Sequence, residues 1–349
     1  MRKDLRESPE YAAVAEHVRR LHEPAFGRPH HVTDLVTTTD ASRIVVTGSV
    51  YDELDGLPRT AVYEVRDGAL RALTSGGGSA KAARLAPDGS ALAFLSDRAK
   101  ADVFQLYLLA GGQLGEARPA PAVPGTVEYL GWSPDGTRIL VGVAGPGAEM
   151  ADAQGSGTAG SGESGLPSWY PEVEAGTSED AWRGLWLYTP ACGELARVSP
   201  DGLNVWEAAW SGPGHVLAIT SEQPSEDDWY SAVLSRLDIS TGEVIELLRS
   251  DVQLGLPAGT SDGRRAAVVE AVCSDRWIVA GDLILLDLVA GTRCAVDTAG
   301  ASTRAMCGGC TAARPDDQPG QVAAPADPPA LRPDHRAVAE GRRIDNRVG

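Results

Sequence analysis

The stretch PAGTSDGRRAAVVEAV, residues 257–272, has two readings, and the choice between them decides the fold. Gly259-Thr260-Ser261-Asp262-Gly263 fits G-x-S-x-G, the signature of the nucleophile elbow in α/β-hydrolases. An elbow needs a buried strand before its serine and a helix directly after it. Here Asp262-Gly263 is a hairpin-type turn, and RRAAVVEAV after it is rich in strand formers. The same arrangement recurs along the chain. LAPDGSALAFLSDR begins at Leu85, GWSPDGTRILVGVAG at Gly131 and AWSGPGHVLAITSEQ at Ala209, with TTTDASRIVVTGS at Thr37 as a degenerate first copy. Ser261 therefore reads as a turn residue, and no catalytic residue is assigned.

The spacing of these copies sets the architecture. Asp88 to Asp135 is 47 residues, and Pro213 to Asp262 is 49. Trp132 to Trp210 is 78, the excess falling in a Gly/Ser/Ala-rich stretch that belongs in a loop. A period in the high forties is what a four-stranded propeller blade requires. The second half of each unit (AVYEVRDGALRAL, QLYLLAGGQ, GLWLYTPACGELARV, AVLSRLDISTGEVIEL, LILLDLVAGTRCAV) reads as strand, tight turn, strand. Two hairpins per unit make four strands, and one flat sheet of about twenty strands would curl or split. The expectation is an all-β propeller with five blades, in three parts: a helical segment 1–30, the propeller over 31–297 with an inserted loop at 144–180, and a tail at 298–349.

Composition excludes several classes. The net charge of −17 argues against a nucleic-acid partner. No apolar run approaches the length of a membrane span, and the polar start MRKDLRESPEYAAV lacks the apolar core of a secretory signal, so the reading is cytoplasmic with no membrane partner. Five cysteines make no disulfide framework, and Cys307-Gly-Gly-Cys310 without a second pair or histidines is a poor metal signal. No cofactor and no metal are expected. His17, His22, His30, His31, His215 and His335 pair with no evident nucleophile and acid, and His30-His31 reads as a solvated pair before the first strand. Ser8-Pro9 caps a helix whose Tyr11, Val14, Val18 and Leu21 form one apolar stripe, expected to dock on the propeller edge or on a partner domain.

The insertion carries the one candidate binding set. Trp169, Tyr170 and Trp182 with Glu172 and Glu179 combine aromatic faces and carboxylates, which hold a peptide's terminal ammonium by cation–π and ionic contact. Glu226-Asp227-Asp228-Trp229-Tyr230 is a similar, weaker set.

With its SPDG turns, capped helix, insertion and GLNVWEAAWSGPG segment preceded by RGLWLYTPACGELARVSPD, the chain over roughly residues 5–297 resembles the N-terminal propeller of the prolyl oligopeptidase family, nearest to its acylaminoacyl-peptidase and dipeptidyl-aminopeptidase-like members. The resemblance implies a seven- or eight-bladed propeller that gates short peptides toward a C-terminal α/β-hydrolase domain carrying Ser, Asp and His. Only five blades are legible, and no hydrolase domain follows. Residues 298–349 hold six prolines and no Phe, Tyr or Trp, the composition of a disordered tail or a shifted reading frame. The expectation is thus a truncated, catalytically incompetent propeller, with a hydrolase domain encoded downstream. It would self-associate through open blade edges whose walls include Val45, Val46 and Leu285. The competing class is a stand-alone propeller binding a protein or peptide.

Overall fold

The structure, a computed structural model, describes residues 5–38, 40–54, 58–110, 117–148, 181–271 and 281–296. These form five antiparallel four-stranded meanders. Sheet 1 comprises β1 (Pro29–Thr37), β2 (Ile44–Val50), β3 (Arg59–Arg66) and β4 (Ala69–Ala72). Sheet 2 comprises β5 (Ala80–Leu85), β6 (Ala91–Ser96), β7 (Gln105–Ala110) and β8 (Arg118–Pro119). Sheet 3 holds β9 (Thr126–Trp132), β10 (Ile139–Ala144), β11 (Arg183–Thr189) and β12 (Glu194–Arg197). Sheet 4 holds β13 (Asn204–Ser211), β14 (His215–Ser221), β15 (Val233–Asp238) and β16 (Val244–Leu248), and sheet 5 holds β17 (Gln253–Gly259), β18 (Arg265–Ala271), β19 (Asp282–Asp287) and β20 (Thr292–Val296). Four strands per repeat is the expected blade.

Strand chemistry explains the stacking. Side chains alternate between faces, so a strand buried on both faces reads as a continuous apolar run. In β14, Val216 and Ala218 join the apolar layer against sheet 3, whereas Leu217 and Ile219 join the layer against sheet 5. In β6, Leu92 and Phe94 face sheet 1 while Ala93 and Leu95 face sheet 3. Each gap between successive sheets is thus its own core. First strands meet across these gaps, β5 with β9 and β13 with β17, and are the inner strands; the fourth strands β4, β12 and β20 are largely exposed. Each large apolar side chain so buried contributes ~1.5–3 kcal/mol, against ~0.5–1.5 for a hydrogen bond. Apolar layering dominates, and polar contacts set register. Trp132 Nε1–H donates to the Arg84 carbonyl (3.0 Å) and Trp210 Nε1–H to the Gly131 carbonyl (2.9 Å), each tying one inner strand to the preceding sheet.

Three expectations change. His30 and His31 lie within β1, which begins at Pro29, and the His30 ring stacks on Tyr51 at 4.6 Å. Helix α1 (Pro9–His22) is capped as expected, Tyr11 N–H donating to Ser8 Oγ (3.1 Å), but its stripe is not docked on the described residues: Tyr11, Val14, Val18 and Leu21 are exposed. Val45 packs toward sheet 2 and is no wall of an opening. The face of sheet 1 turned away from sheet 2 carries Val46 and Tyr63, with Val32 and Leu35 exposed; the corresponding face of sheet 5 carries half-buried Leu283 and Leu285.

Candidate functional site

The two ends of the sheets differ in kind. At one end lie the tight connections within sheets, and there a hydroxyl and a carboxylate build a recurring turn. In sheet 5, Thr260 Oγ1 donates to Asp262 (2.6 Å), Asp262 accepts from Arg264 N–H (3.0 Å), and Arg265 N–H donates back to Thr260 Oγ1 (3.1 Å). Ser133 and Asp135 repeat this in sheet 3, and Thr38 and Asp40 in sheet 1. Ser261 is exposed and holds the place of Pro134 and Pro87, and Gly263, like Gly136 and Gly89, has φ near +70°. Hydrogen bonds from the hydroxyl, then the backbone N–H, hold Asp40 and Asp135 down at about 2. One oxygen of each carboxylate is thus bonded within its own turn. His215 Nε2 lies 3.5 Å from Asp238, which also accepts from Ser240 Oγ (2.6 Å). A catalytic triad needs histidine between serine and acid; here the acid is in the middle, and Ser240 has no base.

At the opposite end the second strand of each sheet gives way to a longer stretch of sequence (51–58, 97–104, 145–182, 222–232 and 272–281) before the third, and function concentrates on such loops of a rigid scaffold. Every first strand is bulged against its second: at Thr33, at Ala82–Ala83, at Glu128, at Trp206 and at Leu256–Pro257. Bulges re-aim side chains, and buried polar groups gather here. Arg183 Nε and Nη2 donate to Glu128 (3.0 and 3.2 Å), with both side chains 1% exposed. Arg183 also stacks on Trp206 at 4.9 Å, and its backbone N–H donates to Asn204 Oδ1 (2.7 Å). Burial raises the Glu128 carboxyl, Arg183 opposing it; burial lowers Lys81, whose Nζ sits 4.0 Å from the Phe104 ring centroid. Glu207, buried between sheets 4 and 5, accepts from Leu256 N–H (2.6 Å) and is pushed by burial to about 7. Gln253, Asn204 Nδ2 and Trp229 Nε1 are buried without a hydrogen-bond partner among the described residues.

Of the residues proposed from sequence, Trp182 lines a cleft of about 340 Å³ at this end, with Trp186, Pro124 and Pro146, beside the Arg197–Asp201 pair (2.6 Å). Trp169, Tyr170, Glu172 and Glu179 lie outside the described residues, as do Cys307 and Cys310. In the weaker set, α2 (Glu226–Tyr230) buries Trp229 against Trp206, so that indole is core. Sequence reasoning missed Glu128, Arg183 and Glu207. The available signal was a carboxylate within an apolar inner strand, VEYL and WEAA, where burial forces a partner or a proton. Among the described residues, no group of three or more His, Cys, Asp or Glu could hold a metal, and no helix is long and apolar enough to cross a membrane.

Five four-stranded blades stacked through their faces define a β-propeller. Solved structures that share the fold include peptidases and TolB proteins, all at 17% identity or less, a likeness that shows the fold alone. The chain is similar to the uncharacterized peptidase YuxL of Bacillus subtilis (strain 168), with 30% identity over 209 residues, covering 56% of this chain and 30% of that protein. A crystal structure of puromycin hydrolase superposes with TM-score 0.51 at 17% identity, covering 76% of this chain and 37% of that one. A putative TolB from Agrobacterium tumefaciens gives TM-score 0.50 at 13% identity, covering 76% and 80% respectively. No family model matches. The chain spans about a third of the peptidases it resembles.

Proposed function

We propose that this propeller is the substrate-gating portion of a prolyl-oligopeptidase-family serine peptidase acting on short peptides, with the catalytic groups supplied outside the described residues. The observation that carries the reading is the 30% identity with a Bacillus peptidase over 209 residues. The loop end supports it chemically. Trp182 and Trp186 offer apolar faces beside the Arg197–Asp201 pair, in a cleft sized for one or two peptide residues. Trp169, Tyr170, Glu172 and Glu179 lie within twelve residues of Ala181 in the sequence, and their chemistry suits a terminal ammonium. The test is a fluorescence titration of the full chain with tri- to pentapeptides, free or acetylated at the amino terminus. Saturable binding that weakens on acetylation and in Trp182→Ala is expected; no binding by the folded chain overturns the reading. The chain alone is expected to hydrolyse neither acylaminoacyl nor aminoacyl substrates. Hydrolysis that disappears in Ser261→Ala would refute its assignment as a turn residue.

A second reading, a stand-alone propeller that binds a protein or peptide without catalysis, is favoured by the 80% share of the putative TolB structure that this chain covers. Capture of a folded protein partner with no affinity for short peptides would select it.

A further inference from the structure

A larger cleft, of about 570 Å³, opens between sheets 2 and 3 at the tight-turn end, away from the loop-end site. Its origin is local. Strand β8 is only two residues long and pairs only with Leu108 and Tyr107, so the outer part of sheet 2 leaves Leu108 partly uncovered. Ala91 and Gly136, at the two facing turns, are too small to fill the gap. Tyr188 and Pro190 form the opposite wall. Trp132 lines the cleft with its indole already held by the bond to the Arg84 carbonyl, so the ring is in place before a ligand arrives. A largely apolar cleft of this size takes small organic molecules.

Arg118 supplies the selectivity. It is the one charged side chain among the described lining residues, it is exposed, and it makes no ion pair or hydrogen bond among the described residues. Of the nearby turn carboxylates, Asp135 accepts from Ser133 and Thr137, and Asp88 from Ser90 N–H, and neither pairs with Arg118 among the described residues. In a chain of net charge −17, a guanidinium without a partner among the described residues, beside an apolar cleft, favours an anion with an apolar body. Its planar fork matches a carboxylate. We propose that this cleft binds small carboxylates with an aromatic or branched apolar body, the body against Trp132 and Tyr188 and the carboxylate on Arg118. Acylated amino acids and peptide C-termini share this chemistry.

The test is calorimetric titration of the full chain with N-acetylphenylalanine, its neutral amide, and a tripeptide ending in phenylalanine. Saturable binding of at least one of the two acids is expected, and which of them binds assigns the source. The amide and Arg118→Gln should each weaken it at least about tenfold, the worth of one charge-assisted contact. Arg118→Lys should retain part of the affinity, and Ala191→Trp, at an exposed lining position, should abolish it. Circular dichroism establishes that each variant is folded. No saturation by the folded parent up to about 10 mM ligand, or binding that survives in Arg118→Gln or Ala191→Trp, overturns the proposal.

Discussion

Glu207 gives the sharpest test of how the sheets are held together. Its carboxyl is buried between sheets 4 and 5, and burial raises it from 4.5 to about 7, with the Leu256 N–H bond opposing. Between those two values the folded chain keeps a proton that the unfolded chain releases. Stability therefore falls as pH rises through this window: it is full below about 4.5, and the loss is complete once pH passes about 7. Roughly 2.5 units at ~1.4 kcal/mol each give a loss of about 3 kcal/mol, a sizeable part of a typical net stability. Glutamine cannot ionise, and its carbonyl still accepts from Leu256 N–H. Glu207→Gln should thus match the parent near pH 5 and exceed it by about 2–3 kcal/mol near pH 8. Urea unfolding followed by tryptophan fluorescence across that range measures both, and the difference between variant and parent cancels other titrating groups, including Glu128. A difference flat to within about 0.5 kcal/mol would show that Glu207 is solvated or already ionised in the fold. A difference of opposite slope would show that the Leu256 bond outweighs burial.

Three further outcomes follow from the geometry. Ser261→Ala should change stability by less than about 0.5 kcal/mol, whereas Thr260→Val, which removes the hydroxyl bonds of the same turn to Asp262 and Arg265, should cost about 1–2 kcal/mol in urea unfolding. Glu128→Ala should cost about 3–5 kcal/mol by leaving the Arg183 charge buried, while Glu128→Leu combined with Arg183→Met should recover most of that loss, as a double-mutant cycle by thermal or urea unfolding will show. Gly259→Ala should destabilise by about 2 kcal/mol or more, because its Cβ would run into the Trp210 carbonyl oxygen and Ser211 of sheet 4; an unchanged midpoint in urea would mean that the two sheets separate easily.

What the sequence disclosed, and what it hid, follows from the range of the forces involved. The blade repeat was legible because each turn is made within six residues. Thr260, Asp262 and Gly263 find their partners locally, so the pattern survives in any copy that keeps those residue types. The doubly buried second strands were legible for a related reason: alternate faces of VLAIT both need apolar side chains, whatever lies opposite. The tryptophans were visible as residues but not as ties, since the Arg84 carbonyl that Trp132 reaches lies 48 residues earlier in the chain. Glu128 and Glu207 were harder still. In sequence a carboxylate inside VEYL or WEAA resembles an ordinary solvent-facing strand position. Only the fold turns it into a buried charge that must be paired or protonated, with Arg183 arriving from 55 residues away on the same sheet as Glu128, and Leu256 from 49 on the sheet next to that of Glu207. The α1 stripe shows the converse: it is exposed among the described residues, because an apolar face states that a partner is wanted but not which one. The same distinction separates the two ends of the sheets. The hydroxyls and carboxylates of the tight turns bond within the turn, whereas Glu207 and Asn204 at the loop end depend on contacts with an adjacent sheet. That dependence makes the loop end the place where a bound peptide could alter how the sheets pack.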